Sequence, residues 1–349
     1  IHSLLIFNLS KNIFNNNLFF DEYVYTKYLS DSGVKFNQKL FSDIRSKIGN
    51  TFDFKHNLED ILSWSYQYLN LFLNDNDQSS TQFFTENYMI DYLLDNIDPN
   101  ISLFDPCCGG GNILSQAVEY YYSHSGIELN EILRNLVGYE IDPLLANIAV
   151  LNLKLKSLEL LKSNNIEVDF NTWTNLTPNI FTSVDSTEFR GSLDTTPIIN
   201  IETKEKNTTD IFLNNFSNVI TNPPFATIKG MDGSLSNFLK INYPNSNSDV
   251  CVAFLKRLVD FSTDNGIIAV VSQNSWMYLN SFSKFRKTFL SSYFIDSIVD
   301  LGSGAFVDLT GEKSNVALIK YRNKKAINTK IKFYNLKNSS IEMKIELIN

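Results

Sequence analysis

Residues 103–114 read Leu-Phe-Asp-Pro-Cys-Cys-Gly-Gly-Gly-Asn-Ile-Leu, "LFDPCCGGGNIL". A short apolar run meets Asp105, and Pro106 stops it, because proline offers no N–H and fixes φ. Gly109, Gly110 and Gly111 follow, and apolar residues at helical spacing begin near Asn112. Strand, glycine turn and helix in that order open a βαβ unit. Glycines let the backbone approach a ligand closely, and the unpaired N–H groups of a helix N-terminus point to the same place. The stretch predicts an α/β fold with a parallel central sheet and a ligand at the end of its first strand.

The residues narrow the ligand. A dinucleotide fingerprint asks for a third glycine where Leu114 stands. Asp105 would repel a pyrophosphate and suits a cation, such as the amino group and sulfonium of S-adenosylmethionine. Some 35 residues on lies "GYEIDP", Gly138 to Pro143. Glu140 ends a second apolar run, where an acid can accept hydrogen bonds from ribose hydroxyls. Ile141 and Asp142 are then placed to flank an adenine ring.

A third stretch, "SNVITNPPFATIKG" (Ser217 to Gly230), ends an apolar run in Asn222-Pro223-Pro224-Phe225. The prolines hold Asn222 and the carbonyl of Pro223 in a stiff turn at the sheet's carboxyl edge, where open α/β sheets bind ligands. An amide oxygen and a carbonyl oxygen converging there can accept both hydrogens of an exocyclic amine. Phe225 offers a face on which a base can stack, worth roughly 1–3 kcal/mol.

Outward from these motifs, further candidate strands are 266–272, 295–301 and 315–322, and candidate helices are 87–97, 112–124, 142–160, 249–263 and 281–292. Residues 164–215 are polar and weakly patterned, consistent with one strand and an insertion, and 226–248 read as a long loop of the kind that serves as a lid. Apolar positions at helical spacing in "NLEDILSWSYQYLNLFL" predict a helical N-terminal domain over 1–78, closed by the polar break "NDNDQSS". A catalytic domain is expected over 79–325, with 326–349 starting a C-terminal extension or recognition region.

The 349 residues carry a net charge of −8 and are 43% apolar, enough for a substantial core. The charge is uneven: residues 251–349 hold 14 basic and 8 acidic groups, which suits contact with phosphates. Three cysteines, Cys107, Cys108 and Cys251, make no disulfide framework, and none has a partner at zinc spacing, so no metal is expected. No apolar run is long enough to span a bilayer and no signal pattern opens the chain, which predicts a cytoplasmic protein without a membrane partner. A first residue of Ile predicts a piece of a longer protein or a trimmed one.

Taken together, the motifs resemble the amino-group DNA methyltransferases of the adenine-N6 type in which the cofactor motif precedes NPP[YF]. "DPCCGGGNIL" is similar to that class's D-P-x-C-G-x-G-x-x-L, "GYEIDP" to its second motif and "NPPF" to its catalytic motif. An upstream Q-F-[FY]-T-P motif is matched by Gln82-Phe83-Phe84-Thr85, with Glu86 in place of the proline. The order over residues 79–325 follows type I modification subunits, fused restriction–modification enzymes and phage-exclusion methyltransferases. The resemblance implies a Rossmann-like methyltransferase fold and S-adenosylmethionine as cofactor. It implies Phe84, Thr85, Asp105, Cys107, Gly109, Gly111, Glu140, Ile141 and Asp142 as cofactor contacts, and Asn222, Pro223, Pro224 and Phe225 as the catalytic turn. Phe306 would stack the target base opposite Phe225. The family's acid after the third strand has two candidates, Asp185 and Glu202.

The resemblance further implies DNA as substrate, with a specificity or restriction subunit or a fused recognition domain as partner. Other acceptors with an –NH2 fit the same pair of oxygens: cytosine N4, guanine N2 in RNA, or a protein glutamine. A catalytically silent DNA-binding subunit is the non-enzymatic alternative. Ser217, where the family often has Asp, departs from the pattern.

Overall fold

The computed structural model describes residues 85–184, 190–226, 233–306, 315–326 and 330–348. The expected N-terminal helical domain, Phe84 and Asp185 lie outside them.

Ten strands form one sheet in the order β10-β8-β9-β7-β6-β1-β2-β3-β4-β5. They are β1 (Leu103–Asp105), β2 (Leu136–Glu140), β3 (Asn179–Ser183), β4 (Pro197–Asn200), β5 (Lys206–Thr208), β6 (Phe216–Thr221), β7 (Ser262–Gln273), β8 (Phe294–Gly302), β9 (Val316–Arg322) and β10 (Lys332–Asn335). The centre, β3-β2-β1-β6-β7, is parallel, with Phe104 level with both Val137 and Val219. Strands β4, β5, β8 and β9 run antiparallel to their neighbours nearer the centre, and β10 pairs in parallel with β8. The sheet is therefore mostly parallel, as the glycine turn predicts.

The central strands read as unbroken apolar runs because both faces are covered. Leu103, Leu136, Ile180, Ile220, Ala269 and Leu318 face one core. Their chain neighbours Phe104, Val137, Phe181, Val219, Ile268 and Ile319 face the other. In that second core the Phe104 ring lies 4.4 Å from Phe212, 4.7 Å from Phe216 and 5.3 Å from Phe261, centroid to centroid.

Helices cover both faces: α1 (Asn87–Leu94), α2 (Asn112–His124), α3 (Leu129–Asn135), α4 (Pro143–Ser163), α5 (Phe170–Asn175), α6 (Gly233–Asn242), α7 (Val250–Phe261), α8 (Ser275–Tyr278), α9 (Ser283–Ser292) and α10 (Ile341–Ile348). Several starts are written in the sequence. Asp142 accepts from the Leu144 and Leu145 N–H groups, with Pro143 in the first turn, and Asp249 accepts from Cys251 N at 2.8 Å. No helix among the described residues is long and apolar enough to cross a membrane.

Two readings need correction. Residues 233–242 form α6, not a loop. Leu235, Phe238 and Leu239 hold the helical spacing, but Ser and Asn between them dilute it and only Leu239 is fully buried. Residues 164–215 contain α5 and three strands rather than one; β4 and β5 leave little pattern because they are only four and three residues long, and β5 is Lys-Asn-Thr with no apolar position.

Connections from β1 run to β2 and β3 on one side and lie beside β6 and β7 on the other. That reversal opens a crevice at the carboxyl edge between β1 and β6, the usual ligand position in such sheets.

Candidate active site

A cavity of about 290 Å³ fills this crevice. It brings together Thr85, Asp105, Cys107, Gly109, Glu140, Ile141, Asn222, Pro223 and Pro224, residues scattered over 140 positions of sequence. Gly111, Asp142, Phe225 and Phe306, also singled out from sequence, do not line it.

The glycine turn is held from three sides. Cys108 N donates to Tyr139 O at 3.0 Å, Gly111 N to Cys108 O at 2.8 Å, and the Asn152 amide to Gly110 O at 2.7 Å. Gly111 has φ +85°, and a Cβ there would sit 3.0–3.1 Å from Leu153 and Ala149 of α4. Its role is conformational and steric: it lets the loop pass close over a packed helix. Gly138 fills a similar need within β2, since a Cβ would lie 2.6 Å from Ile180 Cδ1 and 2.7 Å from Leu114 Cδ1. Leu114 thus occupies the strand–helix contact that a third glycine serves in dinucleotide folds, with Gly138 giving way beneath it.

Two carboxylates face the cavity from buried positions. Asp105 is 1% exposed and Glu140 5%. Asp105 Oδ1 accepts from Cys107 N at 3.1 Å, and burial still pushes its carboxyl up to about 7, against the pull of Thr221 and the Cys107 N–H. Glu140 accepts from Gly109 N and Asp142 N, both at 3.0 Å, one on each oxygen. Burial pushes it also to about 7, with the charges of Asp142 and Asp105 acting in the same direction. A carboxylate has about four acceptor positions, so Glu140 keeps capacity for ligand hydroxyls. Burial and these two acids together raise the Cys107 thiol well above its ordinary range, which makes it inert wall rather than nucleophile.

At the opposite wall Asn222 Nδ2 donates to Thr85 Oγ1 at 3.1 Å. Thr85 comes from the upstream Phe-Thr pair and is 7% exposed. The bond fixes which way the amide points, so the upstream motif and the proline turn make one unit. Phe225 and Phe306, 5% and 4% exposed, belong to one apolar cluster with Ile220, Cys251 and Ala305. Asp142 is occupied as the N-cap of α4.

One wall escaped the sequence reading. Arg190, Gly191, Ser192 and Leu193 line the cavity. Ser192 Oγ donates to Pro106 O at 2.8 Å, and Arg257 Nε donates to Ser192 O at 3.0 Å. The Arg190 guanidinium lies 5.0 Å from the Phe238 ring and pairs with Asp194 at 3.1 Å, tying this wall to α6, whose Leu235 also reaches the cavity. The only sequence signal is a Gly-Ser pair in a polar stretch, with Gly191 at φ +51°.

Glu202 stands elsewhere. Phe181 is level with Asn200, so the chain after β4 lies beside the start of β3, at the far edge of the sheet. There Glu202 pairs with the fully buried Lys154 at 3.4 Å.

Residues 134–306 match the family described as Eco57I restriction-modification methylase. The adenine-specific methyltransferase PglX of Lacticaseibacillus casei (strain Zhang) is 38% identical over 93 residues, 27% of this chain. The chain spans about 8% of that relative's length. Among solved structures, the DrdV–DNA complex superposes on 99% of this chain with a TM-score of 0.65 and 16% identity, over 38% of its own chain. A putative class I S-adenosylmethionine-dependent methyltransferase from Listeria monocytogenes covers 99% of this chain and 97% of its own, with a TM-score of 0.54 and 14% identity. In sequence, residues 134–306 resemble the Eco57I restriction-modification methylases, and in fold nearly the whole chain resembles a class I S-adenosylmethionine-dependent methyltransferase.

Proposed function

We propose that this protein transfers a methyl group from S-adenosylmethionine to the exocyclic N6 amine of an adenine flipped out of DNA, in the cytoplasm and within a restriction–modification or phage-defence system. The observation that carries the reading is one cavity with two buried carboxylates on one wall and the Asn222-Pro223-Pro224 turn on the other. DNA is the macromolecular partner. Sequence recognition is assigned to a fused domain or a specificity subunit.

When bound, the cofactor supplies a methyl on a positively charged sulfonium. Asp105 would compensate its positive charge from a buried position, and Glu140 would accept from the ribose hydroxyls. Ile141 and Leu145 give the adenine an apolar slot. Asn222 Oδ1 and the Pro223 carbonyl accept the two hydrogens of the target amine. Because that amine is conjugated with its ring, its lone pair becomes available only when the nitrogen turns tetrahedral, and two fixed acceptors favour that geometry. No proton need leave before transfer. Positioning supplies most of the effect, of the order of 7–11 kcal/mol for well-oriented reactants. Base extrusion from the duplex costs a few kcal/mol. With their rings packed in the apolar cluster, Phe225 and Phe306 can reach a base by the edge or after a rotamer change.

The direct test is nucleoside mass spectrometry of DNA from cells expressing the full-length gene. N6-methyladenine is expected and must vanish with the gene. Methylation at cytosine N4, of RNA guanine or of protein glutamine, without N6-methyladenine, overturns the assignment.

The paired acids also set a pH dependence. Asp105 and Glu140 titrate near 7 in the folded chain against ordinary values of 3.8 and 4.5. Their raised values stabilise the cofactor-free fold below about pH 4, and that contribution is lost as pH rises to about 7. A cation binds the ionised form, so cofactor affinity moves the other way. By calorimetry, affinity should rise roughly 5–10-fold between pH 6 and 7.5 if one carboxyl is linked. A flat profile would leave neither acid facing the cation.

A further inference from the structure

The proposed reaction requires the target base to leave the duplex, and nothing described so far takes its place. The segment after β7 is placed to do so. Thr221 is level with Val270, and β7 runs on to Gln273, so this strand rises three residues past the end of β6. At 3.3 Å per residue that is about 10 Å. The chain then turns through α8 and presents four consecutive exposed residues, Tyr278, Leu279, Asn280 and Ser281. Tyr278 is 49% exposed and Leu279 53%.

This projection is braced rather than loose. Arg286 Nη1 donates to Trp276 O and Leu279 O, both at 2.7 Å. The Tyr278 hydroxyl donates to the buried carboxylate of Asp300, which also accepts from the Asn274 amide at 2.8 Å. Lys337 Nζ pairs with Asp300 at 3.0 Å and lies 3.9 Å from the Tyr278 ring centroid. Three parts of the sheet's carboxyl edge thus hold one aromatic ring, and the ring holds the apolar residue next to it.

Its charge singles out a polyanion. From Gln273 to Ile295 there is no Asp or Glu, whereas Lys284, Arg286 and Lys287 follow within the same stretch, in a chain of net charge −8. Lys284 and Lys287 are exposed on the first turns of α9, at the same edge. An exposed aliphatic tip, rigidly held and flanked by cations on the same carboxyl edge of the sheet as the proposed base site, matches the wedges by which proteins unstack a duplex.

We infer that Leu279, braced by Tyr278, enters the DNA stack at the position vacated by the target adenine, with Lys284 and Lys287 on the adjoining phosphates. The inference rests on the methyl-transfer reading. Leu279 lowers the cost of extrusion by filling the gap, so its effect depends on how firmly the target base is stacked and paired.

The test uses the full-length protein and unmethylated duplexes carrying the sequence it methylates, with 2-aminopurine at the target for fluorescence and adenine for turnover. Leu279→Ala is at an exposed position and leaves the core untouched. On the paired duplex it should lose about tenfold in kcat/KM and most of the fluorescence rise. Opposite an abasic position, where extrusion is cheap, the loss should shrink to under about threefold, and Leu279→Met should restore activity on both. Unchanged activity of Leu279→Ala on the paired duplex, or an equal loss on both duplexes, overturns the wedge. A parent protein that methylates no adenine and raises no fluorescence overturns the methyl-transfer reading and the wedge with it, whereas a parent that does both beside an unaffected Leu279→Ala removes the wedge alone.

Discussion

Asn222→Ala is expected to reduce single-turnover methyl transfer to DNA by at least about a hundredfold while leaving S-adenosylmethionine affinity within about twofold. The first figure follows from the loss of a fixed group aimed at charge that develops only in the transition state, which in acyl transfer costs about 10²–10³. The second follows from where the amide stands. Asn222 sits on the β6 wall, tied to Thr85, while Asp105 and Glu140 rise from β1 and β2. The side chain is only half-buried, so its removal costs the fold one hydrogen bond, about 1 kcal/mol. Transfer of labelled methyl together with calorimetry separates the two effects. Full turnover would remove Asn222 from the reaction, and a parallel collapse of cofactor binding would make it a cofactor residue instead.

The sequence carries the turn residues and hides the walls. "DPCCGGGN" and "NPPF" are legible because each imposes a backbone demand that few residue types meet: Gly111 must adopt φ +85° under α4, and two prolines must end β6. Thr85 is legible only through its motif, and its bond to Asn222 depends on a fold that brings residues 137 positions apart together. Arg190 to Leu193 left almost no trace, because that wall acts mainly through backbone: Ser192 is placed by one hydroxyl on Pro106 O and by Arg257 on its own carbonyl. Phe225 shows a different gap: its type is legible and its placement is not. An aromatic beside the catalytic turn reads as a stacking surface, yet its ring is buried with Ile220 and Phe306, which composition alone cannot distinguish from exposure to a base. Glu202 stays an open candidate in sequence for a related reason: strand ends look alike there, and only the antiparallel register of β4 puts it at the edge away from the cavity.

Asp105→Asn should separate stability from function. The replacement is nearly isosteric, and its amide oxygen can still accept from Cys107 N, so the glycine turn keeps its anchor. A carboxyl raised from 3.8 to about 7 disfavours the folded chain at pH 8 by at most about 4 kcal/mol. The new amide hydrogens, buried without assured partners, cancel part of that relief. The cofactor-free variant is therefore expected to be about 1–3 kcal/mol more stable than the parent at pH 8, with the difference fading towards pH 4. Cofactor affinity should fall by about a hundredfold, because a buried negative charge facing a cation is replaced by a dipole. The two changes have one cause: charge that burial disfavours in the empty fold is what a cation would recognise. Thermal unfolding without cofactor at pH 5 and pH 8, with calorimetry at pH 7.5, reads both. Greater stability without weaker binding would make Asp105 a strained but idle acid; weaker binding without greater stability would mean that it is already solvated or paired in the empty cavity; and a variant like the parent in both would place the cation elsewhere, with Glu140 the other buried acid of this cavity to test.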